Sequence, residues 1–133
     1  MTNETCGNPG RGGDTRRARE HLCRQAENRA AIVLRLTGYR ILDRQVRVPA
    51  GAIDIVVRRG AVVAFVEVKA RQTWARTAGS ISRTQRRRIV RAAAHYVAAN
   101  PRLVVLTQRF DAVLVEPRKW PHHIINAWIE SGD

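Results

Sequence analysis

What this 133-residue chain has little of already narrows its function. Its two cysteines, Cys6 and Cys23, form no Cys-x-x-Cys and have no second pair beside them. The one zinc set that can be written, Cys6, His21 and Cys23, lacks a zinc-site spacing and is not expected to form. No apolar run approaches the roughly 18 residues that a membrane span requires, and no signal peptide opens the chain. A cytoplasmic protein with no membrane partner is therefore expected. Lysine occurs only at Lys69 and Lys119, and acids are scarce. The 24 basic residues stand against 11 acidic ones, giving a net charge of +13 and a pI near 11.6.

That surplus is almost wholly arginine, whose planar guanidinium bonds phosphate oxygens in a bidentate fork. Nucleic acid, DNA first, is the expected partner, drawn by long-range steering and counterion release. A GC-rich genome would also favour arginine over lysine, but that explains the choice of cation and not a surplus of 13. No small-molecule cofactor is expected, and the protein would act as a monomer or a homodimer.

The length fits one domain, and 44% hydrophobic residues mark a globular chain. Residues 1–13, with Gly7-Asn8-Pro9-Gly10, have no apolar period and read as a flexible tail before a single domain at 14–133. Asp14 or Thr15 can cap a helix to about Thr37, with Gly38 as its stop. Leu22, Ala26, Ala30, Val33 and Leu36 or Thr37 give it one apolar face, with Glu27 beside that face. Tyr39–Val48 reads as a strand closed by Pro49-Ala50-Gly51.

Two β-branched runs follow, Ile53–Val57 and Val62–Val68, joined through Arg58-Arg59-Gly60 as a hairpin. Three charged residues are set into them: Asp54, Glu67 and Lys69. Alternation puts Glu67 and Lys69 on one face, about 7 Å apart at their Cα atoms. A two-residue turn at Arg59-Gly60 would set Asp54 opposite Phe65 and diagonal to Glu67 on the same face, within reach. Two carboxylates and an amine gathered this way suit metal-assisted attack on a phosphodiester, since Mg²⁺ takes a few carboxylates and leaves room for water and phosphate oxygens. The same charges also read as a cross-strand ion pair on a half-exposed sheet.

After Arg71 comes a loop to Ile81 whose Trp74, Arg71 and Arg76 can contact nucleic acid, or whose Trp74 can plug the core. Ser82 or Thr84 starts a second helix to about Ala99, stopped by Asn100-Pro101. Its core face is Ile89, Val90, Ala93, Tyr96 and Val97. Arg83, Arg87 and Arg91 form a basic ridge with Arg86 and Arg88 at its shoulders. No acid in the helix compensates them, which favours a phosphate-binding surface over an ordinary solvated face. Gln85 is placed with these nucleic-acid contacts and can also face the charged cluster. Leu103–Leu106 and Arg109–Val115 supply further strand material. Pro121 opens a last short helix with His122 and His123 diverging at its surface, and Ile124, Ile125, Trp128 and Ile129 packed inward. Asp111 is expected to hold Arg109 or a loop backbone.

Read together, Ala26-Glu27, Gly38-Tyr39-Arg40-Ile41-Leu42, Gly51-Ala52-Ile53-Asp54, Phe65-Val66-Glu67-Val68-Lys69-Ala70-Arg71 and Arg109-Phe110-Asp111 resemble the YraN (UPF0102) family over about residues 14–130. Asp54, then Glu67-Val68-Lys69, is similar to the D…(D/E)-x-K signature of restriction-endonuclease-like nucleases. The resemblance implies an α/β fold, a three-layer sandwich with a mixed central sheet in the order α-β-β-β-α-β-α. It also implies a metal-dependent endodeoxyribonuclease, with Asp54, Glu67 and the Val68 carbonyl on Mg²⁺ or Mn²⁺, Lys69 orienting or deprotonating water, and Glu27 as an auxiliary ligand. Glu27 can instead pair with Arg24 along its helix. Arg71, Gln85 and the helical arginines would hold the backbone. Nothing in the sequence reads bases, so weak sequence selectivity is expected. Family members typically show Gly-Glu-Ile-Asp where this chain has Gly-Ala-Ile-Asp. That missing acid fits the alternative of an inactive nucleic-acid-binding module.

Overall fold

The computed structural model describes residues 13–70 and 82–128. A mixed five-stranded sheet in the order β1-β2-β3-β4-β5 lies between two helices, making the three-layer α/β architecture. The elements are α1 (Gly13–Leu36), β1 (Arg40–Val48), β2 (Gly51–Arg59), β3 (Val62–Ala70), α2 (Arg83–Ala99), a 3₁₀ helix (Pro101–Val105), β4 (Thr107–Val115) and β5 (His122–Ile124). The expected tail falls outside the described residues except for Gly13, which opens α1.

β1, β2 and β3 form an antiparallel meander, and α2 carries the chain to β4, which runs parallel to β3. Such a parallel return needs a crossover, and the helix supplies it. β4 is covered on both faces, as its two-sided apolarity predicts: Phe110 and Ala112 face α2, and Val113 and Val115 face α1. Two elements differ from the sequence reading. Pro101–Val105 winds as 3₁₀ helix instead of strand, with Pro101 at its first turn. His122–Ile124 is a strand that pairs antiparallel with β4, not a helix.

α1 packs on the sheet through Leu34 and through Ala26, Ala30 and Ala31, small residues that bring helix and sheet close. Its burial begins at Ala26, so Leu22 is exposed. Leu36, about 200° round the helix from Leu34, is exposed too. The sequence reading put Leu22, and Leu36 or Thr37, in the core face; the face instead turns on Ala31 and Leu34. On the other side Ile89, Ala92, Ala93 and Val97 of α2 meet Ile53, Val56, Val63, Phe65 and Trp128. Ser82 caps α2, its Oγ accepting the Gln85 N–H at 3.1 Å.

Gly51 marks where α2 crosses β2: a Cβ there would lie 1.8 Å from the Arg88 carbonyl oxygen. Backbone cannot step aside as a side-chain tip can. Gly51→Ala is therefore expected to cost about 1–3 kcal/mol or more in urea unfolding, and an unchanged midpoint would refute this packing.

Candidate functional site

The β2–β3 turn is Gly60-Ala61, with Arg59 opposite Val62, and Gly60 takes a φ of +60° that favours glycine in a tight hairpin. This corrects the predicted register by two residues. Parity survives the shift, and the register now points Asp54 at Glu67 directly instead of diagonally. The ladder ends at Ile55–Val66, after which β2 follows β1 and β3 follows β4, so the strands part at the charged residues.

Asp54 spans the parting. The Val68 N–H, left without a ladder acceptor, donates to Asp54 Oδ2 at 2.8 Å. Within an antiparallel ladder the N–H and C=O of one residue face the same neighbour, so the Val68 carbonyl opens on the same gap. Glu67 and Lys69 follow Val63 and Phe65 on the α2 side, and both are buried, Lys69 completely. Lys69 Nζ lies 3.5 Å from Glu67 Oε2 and donates to Gln85 Oε1 at 3.3 Å. Gln85 Nε2 donates to the same Glu67 oxygen at 2.7 Å. Gln85 thus turns inward from the first turn of α2 to join the cluster.

Burial pushes the Glu67 carboxyl well above the usual carboxylate range, and the neighbouring Asp54 charge adds to this against the pull of Lys69. Burial also raises Asp54, while the Val68 N–H works the other way and the Glu27 charge pushes up again. Burial lowers the proton affinity of Lys69, opposed by Glu67 and Asp54. Of the two carboxyls, Glu67 is pushed up the more strongly. A structural ion pair would hold its carboxylate ionised; this one is set against it.

Glu27 reaches the site from α1 on the opposite side. Its Oε1 accepts from Gln45 Nε2 at 2.6 Å, and its Oε2 accepts from Arg44 Nε, whose NH2 also donates to Asn28 at 2.6 Å. The ion pair therefore joins α1 to β1 and does not run along the helix to Arg24. A cleft of about 420 Å³ opens here, lined in part by Arg24, Glu27, Arg44, Gln45, Arg47 and Asp54. Asp54 is common to the cleft and to the Glu67–Lys69–Gln85 cluster.

Do these groups fit a divalent cation? Asp54, half-buried, and Glu67, buried, with the Val68 backbone carbonyl beside them, are the hard oxygen donors Mg²⁺ takes. Among the described residues no three His, Cys, Asp or Glu side chains converge as a self-sufficient metal cluster. The fit therefore rests on Asp54 and Glu67, with Glu27 one step removed.

Arg83, Arg86, Arg87 and Arg91 are exposed on α2. None of the ion pairs among the described residues involves them. Arg71 and the Trp74 loop lie outside the described residues. Sequence reasoning missed Arg44 and Gln45, which follow one another in β1 and approach Glu27 from the strand. Their adjacency was visible; their direction depends on a backbone irregularity that no periodicity displays.

The model of the family described as "Uncharacterised protein family UPF0102" matches residues 26–115. A UPF0102 protein of Parvibaculum lavamentivorans is 48% identical over 104 residues, covering 78% of each chain. One from Methylocella silvestris is 48% identical over 117 residues, 88% of this chain and 94% of its own. One from Methylorubrum extorquens is 45% identical over 120 residues, with 90% and 94% covered. The chain belongs to the UPF0102 family. The part matched by the UPF0102 model begins at Ala26 and ends with β4, so it contains Glu27, Asp54, Glu67, Lys69 and Gln85. No helix among the described residues is long and apolar enough to cross a membrane.

Proposed function

We propose that this UPF0102 protein is a divalent-cation-dependent nuclease that hydrolyses phosphodiester bonds in DNA with weak sequence selectivity. The observation that carries the reading is the convergence of Asp54 and Glu67 where β2 and β3 part, with the Val68 N–H on Asp54 Oδ2 at 2.8 Å and Lys69 Nζ 3.5 Å from Glu67. Asp54, Glu67 and the Val68 carbonyl would hold Mg²⁺ or Mn²⁺. Such an ion, when bound, offsets negative charge on a phosphoryl group and lowers the pKa of a coordinated water.

The remaining work falls to the chain itself. Lys69, its proton affinity reduced by burial, can orient water and accept its proton. Gln85 holds Lys69 and Glu67 in register from α2. Glu27 adds negative charge beside Asp54 and stays fixed by Arg44 and Gln45. The α2 arginines would take backbone phosphates without reading bases.

A second reading, a binding module without turnover, is favoured by one feature: Ala52 stands opposite Arg47 and brings no acid to the strand. Incubating labelled branched, nicked and single-stranded DNA with Mg²⁺ or Mn²⁺ separates the two. The nuclease reading expects cleavage that falls at least about 10²-fold in Asp54→Ala. DNA binding without cleavage in both proteins would select the binding module. Replacing Arg83, Arg87 and Arg91 by alanine is expected to flatten the slope of log affinity against log salt by about 0.9 for each phosphate no longer neutralised. An unchanged slope would assign phosphate binding to other cations of the chain.

A further inference from the structure

Gln45 is the described β1 residue with a left-handed backbone, at a φ of +52°. A non-glycine residue in that region is strained, and inside a strand the strain needs a cause. Its neighbours show what the conformation does. Arg44 pairs with Ile55, and both belong to the α1 side: Arg44 reaches Glu27, and Ile55 packs in the α1 cluster. Val46 pairs with Ile53, and both pack in the α2 cluster. In a regular strand residues two apart share a face, so both strands turn over at one point. That point is Gln45 and the residue it opposes, Asp54.

The side chain uses the turnover. Gln45 Nε2 donates to Glu27 Oε1 at 2.6 Å and lies 3.4 Å from Asp54 Oδ1, while its Oε1 accepts from Arg47 NH2 at 2.9 Å. One amide therefore lies between a carboxylate of α1 and a carboxylate of β2. We propose that Gln45 is a positioning residue of the carboxylate site: its strained backbone turns the β1–β2 hairpin over, and its amide ties Glu27 to Asp54 at the cleft. The inference rests on the proposed cation-dependent function and names the residue that would set its donor geometry from outside the donor set.

The test uses Gln45→Gly and Gln45→Asn. Glycine adopts the left-handed backbone without strain and carries no amide; asparagine tolerates it but is one methylene short. Both are expected to unfold thermally no earlier than wild type, yet to bind Mn²⁺ at least about tenfold more weakly, the range typical of partners that orient metal ligands. Wild-type affinity in Gln45→Gly would show that the residue only bends the strand and would overturn the proposal. A metal-free arm keeps it apart from the cation reading. The Gln45 side-chain amide protons, followed by NMR, are expected to exchange slowly and to revert to solvent-like shifts in Glu27→Ala. Solvent-like signals in wild type overturn the proposal whatever the metal result. Protected signals in a protein that binds no Mn²⁺ uphold the tie and sink the cation reading alone.

Discussion

Glu67→Gln is expected to raise the thermal midpoint at neutral pH while abolishing divalent-cation binding. Glu67 carries a carboxyl whose folded-state proton affinity lies well above the ordinary value, chiefly through burial. The folded protein therefore binds the proton more tightly than the unfolded chain does. Stability falls as pH rises from the ordinary carboxylate value towards the raised one, and at neutral pH some of that loss is present. Glutamine imitates the protonated acid: its carbonyl can accept from Gln85, and it carries no charge to desolvate. A gain of about 1 kcal/mol, some 3–5 °C, is the expected size. Were Glu67 and Lys69 a structural ion pair, deleting one partner would leave a buried charge alone and cost roughly 3–5 kcal/mol. The sign of one melting shift thus distinguishes a functional carboxyl pair from a structural bridge.

The opposite behaviour is expected at Asp111. This carboxylate is fully buried and accepts from Arg109 Nε and NH2 at 2.9 and 2.8 Å, from the Asn126 N–H at 3.1 Å, and meets His123 Nε2 at 2.8 Å. Arg109 continues to the Tyr39 hydroxyl at 2.6 Å, and His123 meets the Tyr39 ring edge-on at 5.5 Å. Groups from the α1–β1 turn, β4 and the β5 region thus depend on one acid. Asp111→Ala should cost about 3–5 kcal/mol, because the guanidinium and the Asn126 N–H lose their acceptor together. Burial alone would raise the Asp111 carboxyl, but His123, Arg109 and the Asn126 N–H outweigh it and hold it below its ordinary value of 3.8. Its contribution is therefore complete above about pH 4 and disappears as acid protonates the folded form. Wild type should lose stability in that acid range and Asp111→Ala should not. Parallel acid melts in the two proteins would contradict the network.

The contrast between the two carboxyl sites explains what was legible in the sequence. Asp54, Glu67 and Lys69 stood out because charge interrupts β-branched runs, and their meeting followed from parity, which a shift of the turn from Arg59-Gly60 to Gly60-Ala61 leaves intact. The α2 cap at Ser82 and the central character of β4 were also local patterns. Gln45 was invisible because glutamine carries no preference for a left-handed backbone; tertiary contacts impose it. His123 was read as surface because adjacent histidines diverge on a helix. On the strand that actually forms, one of them faces Asp111 while the segment pairs with β4. Leu36 misled for the reverse reason: an apolar residue at helical spacing is exposed where the helix face has rotated past it.

The carboxyl pair as a cation site is the claim on which the functional reading depends, and calorimetric titration of Mn²⁺ tests it most directly. Titrations of wild type, Asp54→Ala and Glu67→Ala belong in two buffers of different ionisation enthalpy, at several pH values between about 6 and 8. Because the Glu67 carboxyl is pushed well above the usual carboxylate range and a cation favours its ionised form, binding in wild type should release protons, with affinity rising as pH rises. Both variants should lose the binding heat. Absence of Mn²⁺ binding in wild type, or binding that survives both substitutions without proton release, would contradict the account and leave Asp54, Glu67 and Lys69 as structural charges.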